Sequence, residues 1–157
     1  MARHVTSGAI GVDLTATPTT PEFELGTLMN STDGVCWMYV HASGAITQYD
    51  CVGIDEDFEA ASMTHAIAAD GWAVGFAQSA FADNDYGWVA MSGSNIQCNL
   101  LISCAADVPL FTSATAGNLD DASVASALRI EGLVSVATIT AATNAEVIAT
   151  SPRSITF

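Results

Sequence analysis

Residues 71–103 read as three β-strands joined by two tight turns, and no other stretch of the chain restricts its fold so much. The pieces are WAVGFAQSAF, the turn ADND, YGWVAMSG and then SNIQCNLLIS. Strand side chains alternate between faces, so Tyr86, Trp88, Ala90 and Ser92 share one side while Gly87, Val89, Met91 and Gly93 share the other. Aromatic and β-branched residues suit such a pleated, half-buried surface. Ala82-Asp83-Asn84-Asp85 on one flank and Ser92-Gly93-Ser94-Asn95 on the other bond their own backbone or accept left-handed dihedrals. A β-meander with locally specified turns is therefore expected.

The rest of the chain continues in the same manner. Alternation begins at Glu22-Phe23-Glu24-Leu25, and residues 35–42 (VCWMYVHA) are apolar on both faces, as a central strand would be. Residues 49–54, 130–140 and 145–150 read as further strands, and the tail after Pro152 can pair at a sheet edge. Residues 58–70 are ambiguous: their alanines permit a helix, while the hairpin context favours a strand. Residues 122–128 stay open between one helical turn and none. Tyr39-Val40-His41-Ala42-Ser43-Gly44 is echoed by Trp88-Val89-Ala90-Met91-Ser92-Gly93, two strands that each run into a Ser-Gly turn. Many short strands between turn clusters describe an all-β protein, a small single-domain sandwich or barrel over residues 23–157. Residues 1–22, rich in Thr, Ala and Gly with Pro18 and Pro21 near their end, read as an extended N-terminal arm that can order against a neighbour.

Charge narrows the partners. Seventeen acids face three arginines, Arg3, Arg129 and Arg153, with no lysine, for a formal charge of -14. Such a chain repels phosphate backbones and anionic headgroups, so neither nucleic acid nor a membrane surface is an expected partner. At 157 residues, roughly two-thirds of the unfolded surface can be buried, enough for one core. Half of the residues are hydrophobic and only 13% charged, so part of the apolar surface is expected to lie against a partner that is neutral, basic or another copy. No run approaches the ~18 apolar residues of a membrane span, and the first residues lack a signal-peptide core, so synthesis in the cytoplasm is expected. Cys36, Cys51, Cys98 and Cys104 form no C-x-x-C pair and read as buried thiols.

Chemistry is sparse. His4, His41 and His65 stand apart from any nucleophile motif, and a Ser-His-Asp or Cys-His set is not visible. Asp55-Glu56-Asp57-Phe58-Glu59 places acids at alternate positions, but Ala60 and Ala66 stand where a calcium loop needs its glycine and closing glutamate. Asp83-Asn84-Asp85 reads as a solvated turn. The glycines are scattered, with no phosphate-cradling or dinucleotide pattern. No cofactor, metal or catalytic residue is expected, and the chain reads as a non-enzyme.

A family resemblance covers residues 25–133. Asp85-Tyr86-Gly87-Trp88-Val89-Ala90-Met91-Ser92-Gly93 is followed by Ser103-Cys104-Ala105-Ala106-Asp107-Val108-Pro109-Leu110-Phe111-Thr112 and then by Thr115-Ala116-Gly117-Asn118-Leu119-Asp120-Asp121. In that order these pieces resemble the head decoration, or capsid cement, proteins of tailed bacteriophages. The segments from Tyr39 to Ile46 and from Val52 to Glu56 fit the same pattern, while Phe111 stands where tyrosine is expected. The resemblance implies a homotrimeric β-rich knob on the outer capsid surface of the virion, held to the major capsid protein and bridging capsomers. Val5, Ile10, Val12, Leu14, Phe23 and Leu25 are then the expected capsid or self-association residues. The competing expectation is a phage fibre or carbohydrate-binding β-sandwich that uses Trp37, Trp72 or Trp88 as a sugar platform.

Overall fold

The structure, a computed structural model, describes residues 11–141 and 143–155. Its strands are β1 (Leu28–Asn30), β2 (Cys36–Ala42), β3 (Cys51–Ile54), β4 (Glu59–Ser62), β5 (Ala73–Ala77), β6 (Tyr86–Leu100), β7 (Pro109–Thr112), β8 (Leu119–Asp120), β9 (Arg129–Ser135) and β10 (Thr143–Ile155). One five-residue helix, α1 (His65–Ala69), interrupts them among the described residues. The protein is all-β, as its turn-punctuated short strands require.

The pairing closes on itself twice. β2 pairs with β4 in parallel, and antiparallel contacts then run from β4 to β3, β5 and β6, which returns to β2 through Tyr39↔Trp88. A second circuit runs from β6 to β10, β9, β7 and β8, and β8 returns to β6 at Leu100↔Leu119. Two five-stranded rings therefore share one long strand, and closure leaves few edges for unwanted pairing. The first ring is filled by one face of its strands: Val40, Ala42, Val52, Ile54, Ala60, Ala77 and Val89. Small side chains fit here because a ring of so few strands encloses little space. The second ring and the outer face of the first share another core, in which Trp37, Tyr39, Phe76 and Trp88 are fully buried with Ile96, Leu100, Leu110, Leu119 and Ile130. Truncating either tryptophan to alanine in such a core costs about 3–5 kcal/mol.

The strand that both rings share departs from the expected meander. Residues 92–95 form no turn; β6 runs unbroken through them. Gly93 bends it at φ +132, where an added Cβ would stand 2.9 Å from the Val35 Cα, and Asn95 follows at φ 61. Before the bend β6 pairs with β2, and after it with β10, which is why the chain continues instead of reversing. The preceding turn is as expected. Asn84 takes a left-handed conformation at φ 67, and the Asp85 carboxylate accepts the Ala82 N–H at 2.8 Å.

Three other expectations resolve. Residues 58–70 contain both alternatives: β4 comes first, then α1, whose N-cap Thr64 hydroxyl accepts the Ile67 N–H at 3.2 Å. The Glu22-to-Leu25 alternation makes a turn, not a strand, because Gly26 (φ +78) diverts the chain and pairing starts at β1. Residues 122–128 form no helix.

A buried carboxylate joins the two rings. Asp50 is 4% exposed; its Oδ2 accepts the Ser62 hydroxyl at 2.8 Å and the Thr47 N–H at 3.1 Å, and its Oδ1 accepts the Asn99 amide at 3.0 Å. Gly117 passes directly over it at φ +78, where any Cβ would overlap the carboxylate. The glycine of the Thr115-to-Asp121 turn is thus required by the Asp50 side chain beneath it.

Candidate functional site

The arm residues lie against their own subunit. Val5 and Ile10 fall outside the described residues. Leu14 is 1% exposed within the larger core, and Val12, Phe23 and Leu25 pack partly buried against it. Phe23 completes an aromatic trio, 5.3 Å from both Tyr39 and Trp88, which are themselves 5.1 Å apart. The Pro18 carbonyl accepts the Tyr86 N–H at 2.8 Å, which holds residues 11–22 along β6. In this subunit Leu14 fills internal space, and Phe23 packs on the core while staying partly exposed.

Nor do the tryptophans form a platform. Trp37 and Trp88 are enclosed by the core, and Trp37 donates its ring N–H to the Ser31 hydroxyl at 3.0 Å. Trp72 alone is partly exposed, beside the Gly53 and Ile67 packing.

His4 falls outside the described residues, and the other two histidines are tied into packing. His41 stacks on Tyr86 at 4.7 Å, with its Nδ1 3.6 Å from the Glu59 carboxylate. His65 Nδ1 lies 2.6 Å from the Thr112 hydroxyl, which also accepts the Leu128 N–H at 3.0 Å. A hydroxyl beside an imidazole is half of a nucleophile arrangement, but Thr112 is buried and, among the described residues, no carboxylate hydrogen-bonds the ring. The acidic run closes its own turn, with Asp55 Oδ1 accepting the Asp57 and Glu59 N–H groups at 3.0 and 2.9 Å. Among the described residues no three His, Cys, Asp or Glu side chains converge as metal ligands would, and no helix is long and apolar enough to cross a membrane. All four cysteines are free thiols, three of them buried.

What stands out is the outer face of β9 and β10. Val134 and Ile148 pair directly across the two strands and are 37% and 43% exposed; Val136, also 43% exposed, continues the row. Ser135, between the two valines, is the residue that turns inward, fully buried with its hydroxyl donating to the Ala137 carbonyl at 2.9 Å. The inversion comes from a bulge. Gly132 takes φ +72 against the Thr150 carbonyl, and the β9–β10 register shifts beside it, so Ile130 and Leu133 point inward three positions apart. Across this break β10 places Thr150, Ser151 and Pro152 opposite Gly132 alone, and the in–out alternation of β9 is offset for the residues that follow.

Beside this row runs a groove of about 350 Å³, with Pro109 and Leu133 in its walls and Arg129 at one side. The Arg129 Nε is buried and has no hydrogen-bond partner. Exposed aliphatic side chains beside a groove that an arginine borders form an apolar contact surface with a cationic edge. The sequence shows Val134 and Val136 plainly, but a period-two reading from Ile130 would bury both.

No protein-family model and no curated protein matches this chain.

Proposed function

We propose that the chain is a structural decoration protein of a tailed-bacteriophage head, acting on the outer capsid surface by association and not by catalysis. The observation that carries this reading is the aliphatic row of Val134, Val136 and Ile148 facing water beside the groove that Arg129 borders. Sheet faces that serve only to meet solvent are polar, and contiguous exposed aliphatics mark a contact surface. The acidic, lysine-free composition supports a protein partner over nucleic acid or membrane, and the ordered run of motifs from Tyr39 to Asp121 points to the cement proteins. In this reading the protein is made in the host cytoplasm, three copies associate, and the assembled knob bridges neighbouring capsomers of the major capsid protein. Many modest contacts engaged together then hold it on a complete shell and stiffen the shell against internal pressure.

Particles with and without the protein test the proposal. Purified virions stripped of it should lose infectivity faster than intact ones on heating and osmotic shock, and adding the protein back should restore them. Equal survival of stripped and intact particles sinks the stabilising role.

A further inference from the structure

A separate concavity lies away from the β9–β10 face, where the loop before β3, the end of β5 and the second half of β6 meet. It is a cleft of about 510 Å³, within the range of small-ligand sites. Gln48, Gln78 and Gln97 line it together with Tyr49, Ser79 and Thr15, and the buried Trp37 borders it. Among the described residues no charged side chain lines it, although the chain carries seventeen acids.

The glutamines are held in order. Gln48 Nε2 donates to the Gln78 carbonyl at 3.0 Å, and Gln78 Nε2 donates to the Gln97 carbonyl at 2.9 Å. Gln78 Oε1 accepts the Gln97 N–H at 3.1 Å, and Gln97 Oε1 accepts the Asn144 amide at 2.9 Å. These bonds fix the amide planes and leave Gln48 Oε1 as an acceptor and Gln97 Nε2 as a donor for a ligand. Tyr49 adds a second, separate signal. Its backbone sits at φ 71, a left-handed conformation that a bulky residue holds only where its surroundings impose it. The Tyr49 N–H donates to the Ala77 carbonyl at 2.6 Å and its carbonyl accepts the Asn99 N–H at 2.8 Å, which holds the ring at the cleft.

We infer that this cleft binds a neutral saccharide. Alternating amide donors and acceptors match adjacent hydroxyls, and a tyrosine ring offers a flat face for the apolar side of a pyranose. Among the described lining residues a carboxylate or phosphate ligand would find no cation, within a strongly negative chain, and a cationic ligand would find no carboxylate. The inference is independent of the shell reading, because isolated protein can be tested.

The experiment is a titration of the isotope-labelled protein, followed by NMR, with glucose, galactose, N-acetylglucosamine and maltose, and with glucuronate as the anionic control. A neutral sugar should shift the Gln48 and Gln97 side-chain amide signals saturably, with glucuronate at least about tenfold weaker. Tyr49→Asn keeps a residue that tolerates the left-handed backbone while removing the ring, and Gln48→Ala alters an exposed side chain; each should weaken binding about tenfold with the remaining spectrum unchanged. The inference is overturned if no neutral sugar gives a saturable shift, if glucuronate binds equally well, or if binding survives both substitutions.

Discussion

Buried thiols are the clearest titratable signature at the scale of single residues. Burial, then the carboxylates of Asp121 and Asp120, pushes the Cys104 thiol up to about 11. Burial pushes Cys51 and Cys98 up further, with Asp50 adding to both. In the unfolded chain these thiols ionise near their ordinary value of 9, so above that pH the folded state holds protons that the unfolded state has released. This stabilisation is complete below pH 9 and is lost as pH rises through about 11 for Cys104 and beyond it for the other two. Melting temperature should therefore fall steeply above pH 9, and Cys104→Ala should flatten the part of that fall below pH 11. In thiol titration of the native protein only Cys36, which is partly exposed, should react; all four should react in denaturant.

At the scale of elements, two glycines decide where side chains go. Gly132 stands at the register break between β9 and β10, and an alanine there would meet both the positive φ and the Thr150 carbonyl. Gly132→Ala should lower stability by roughly 1–3 kcal/mol in a urea titration, whereas Gly44→Ala, with open space around it, should cost less than about 1 kcal/mol. Equal effects would mean that β9 tolerates a straight path. The echo between Tyr39-to-Gly44 and Trp88-to-Gly93 shows why such devices are hard to read in advance. Its two strands are antiparallel partners, with Tyr39 opposite Trp88. Yet Ser43-Gly44 ends a strand while Ser92-Gly93 only bends one. The local residues are alike. The difference is made by β10, some fifty positions along the chain, which takes up the pairing after the bend. Residues 58–70 were ambiguous for a related reason: a strand and a helix both lie inside that window, separated only by Met63 and the Thr64 cap.

For the whole molecule, the β9–β10 face is where the proposed shell contact can be tested apart from folding. Val134 and Ile148 are largely free of the core, so a Val134→Asp, Ile148→Asp double variant should melt within a few degrees of the parent while failing to co-sediment with capsid shells. Shell binding at parental strength would remove this face from the contact. The all-β class, the Asp85 turn, the buried thiols and the central, two-faced β2 were legible in the sequence, because each depends on residue type and spacing over a few positions. The destination of the arm residues Leu14 and Phe23 and the exposure of Val134 were not. Nothing local tells a leucine whether its apolar partner belongs to its own chain or to another. The sequence alone determined that this chain makes short strands with little charge to cover them. The tertiary structure decided which faces those strands keep, because closing two rings through one bent strand sets the register, and a single bulge then turns serine inward and valine toward water.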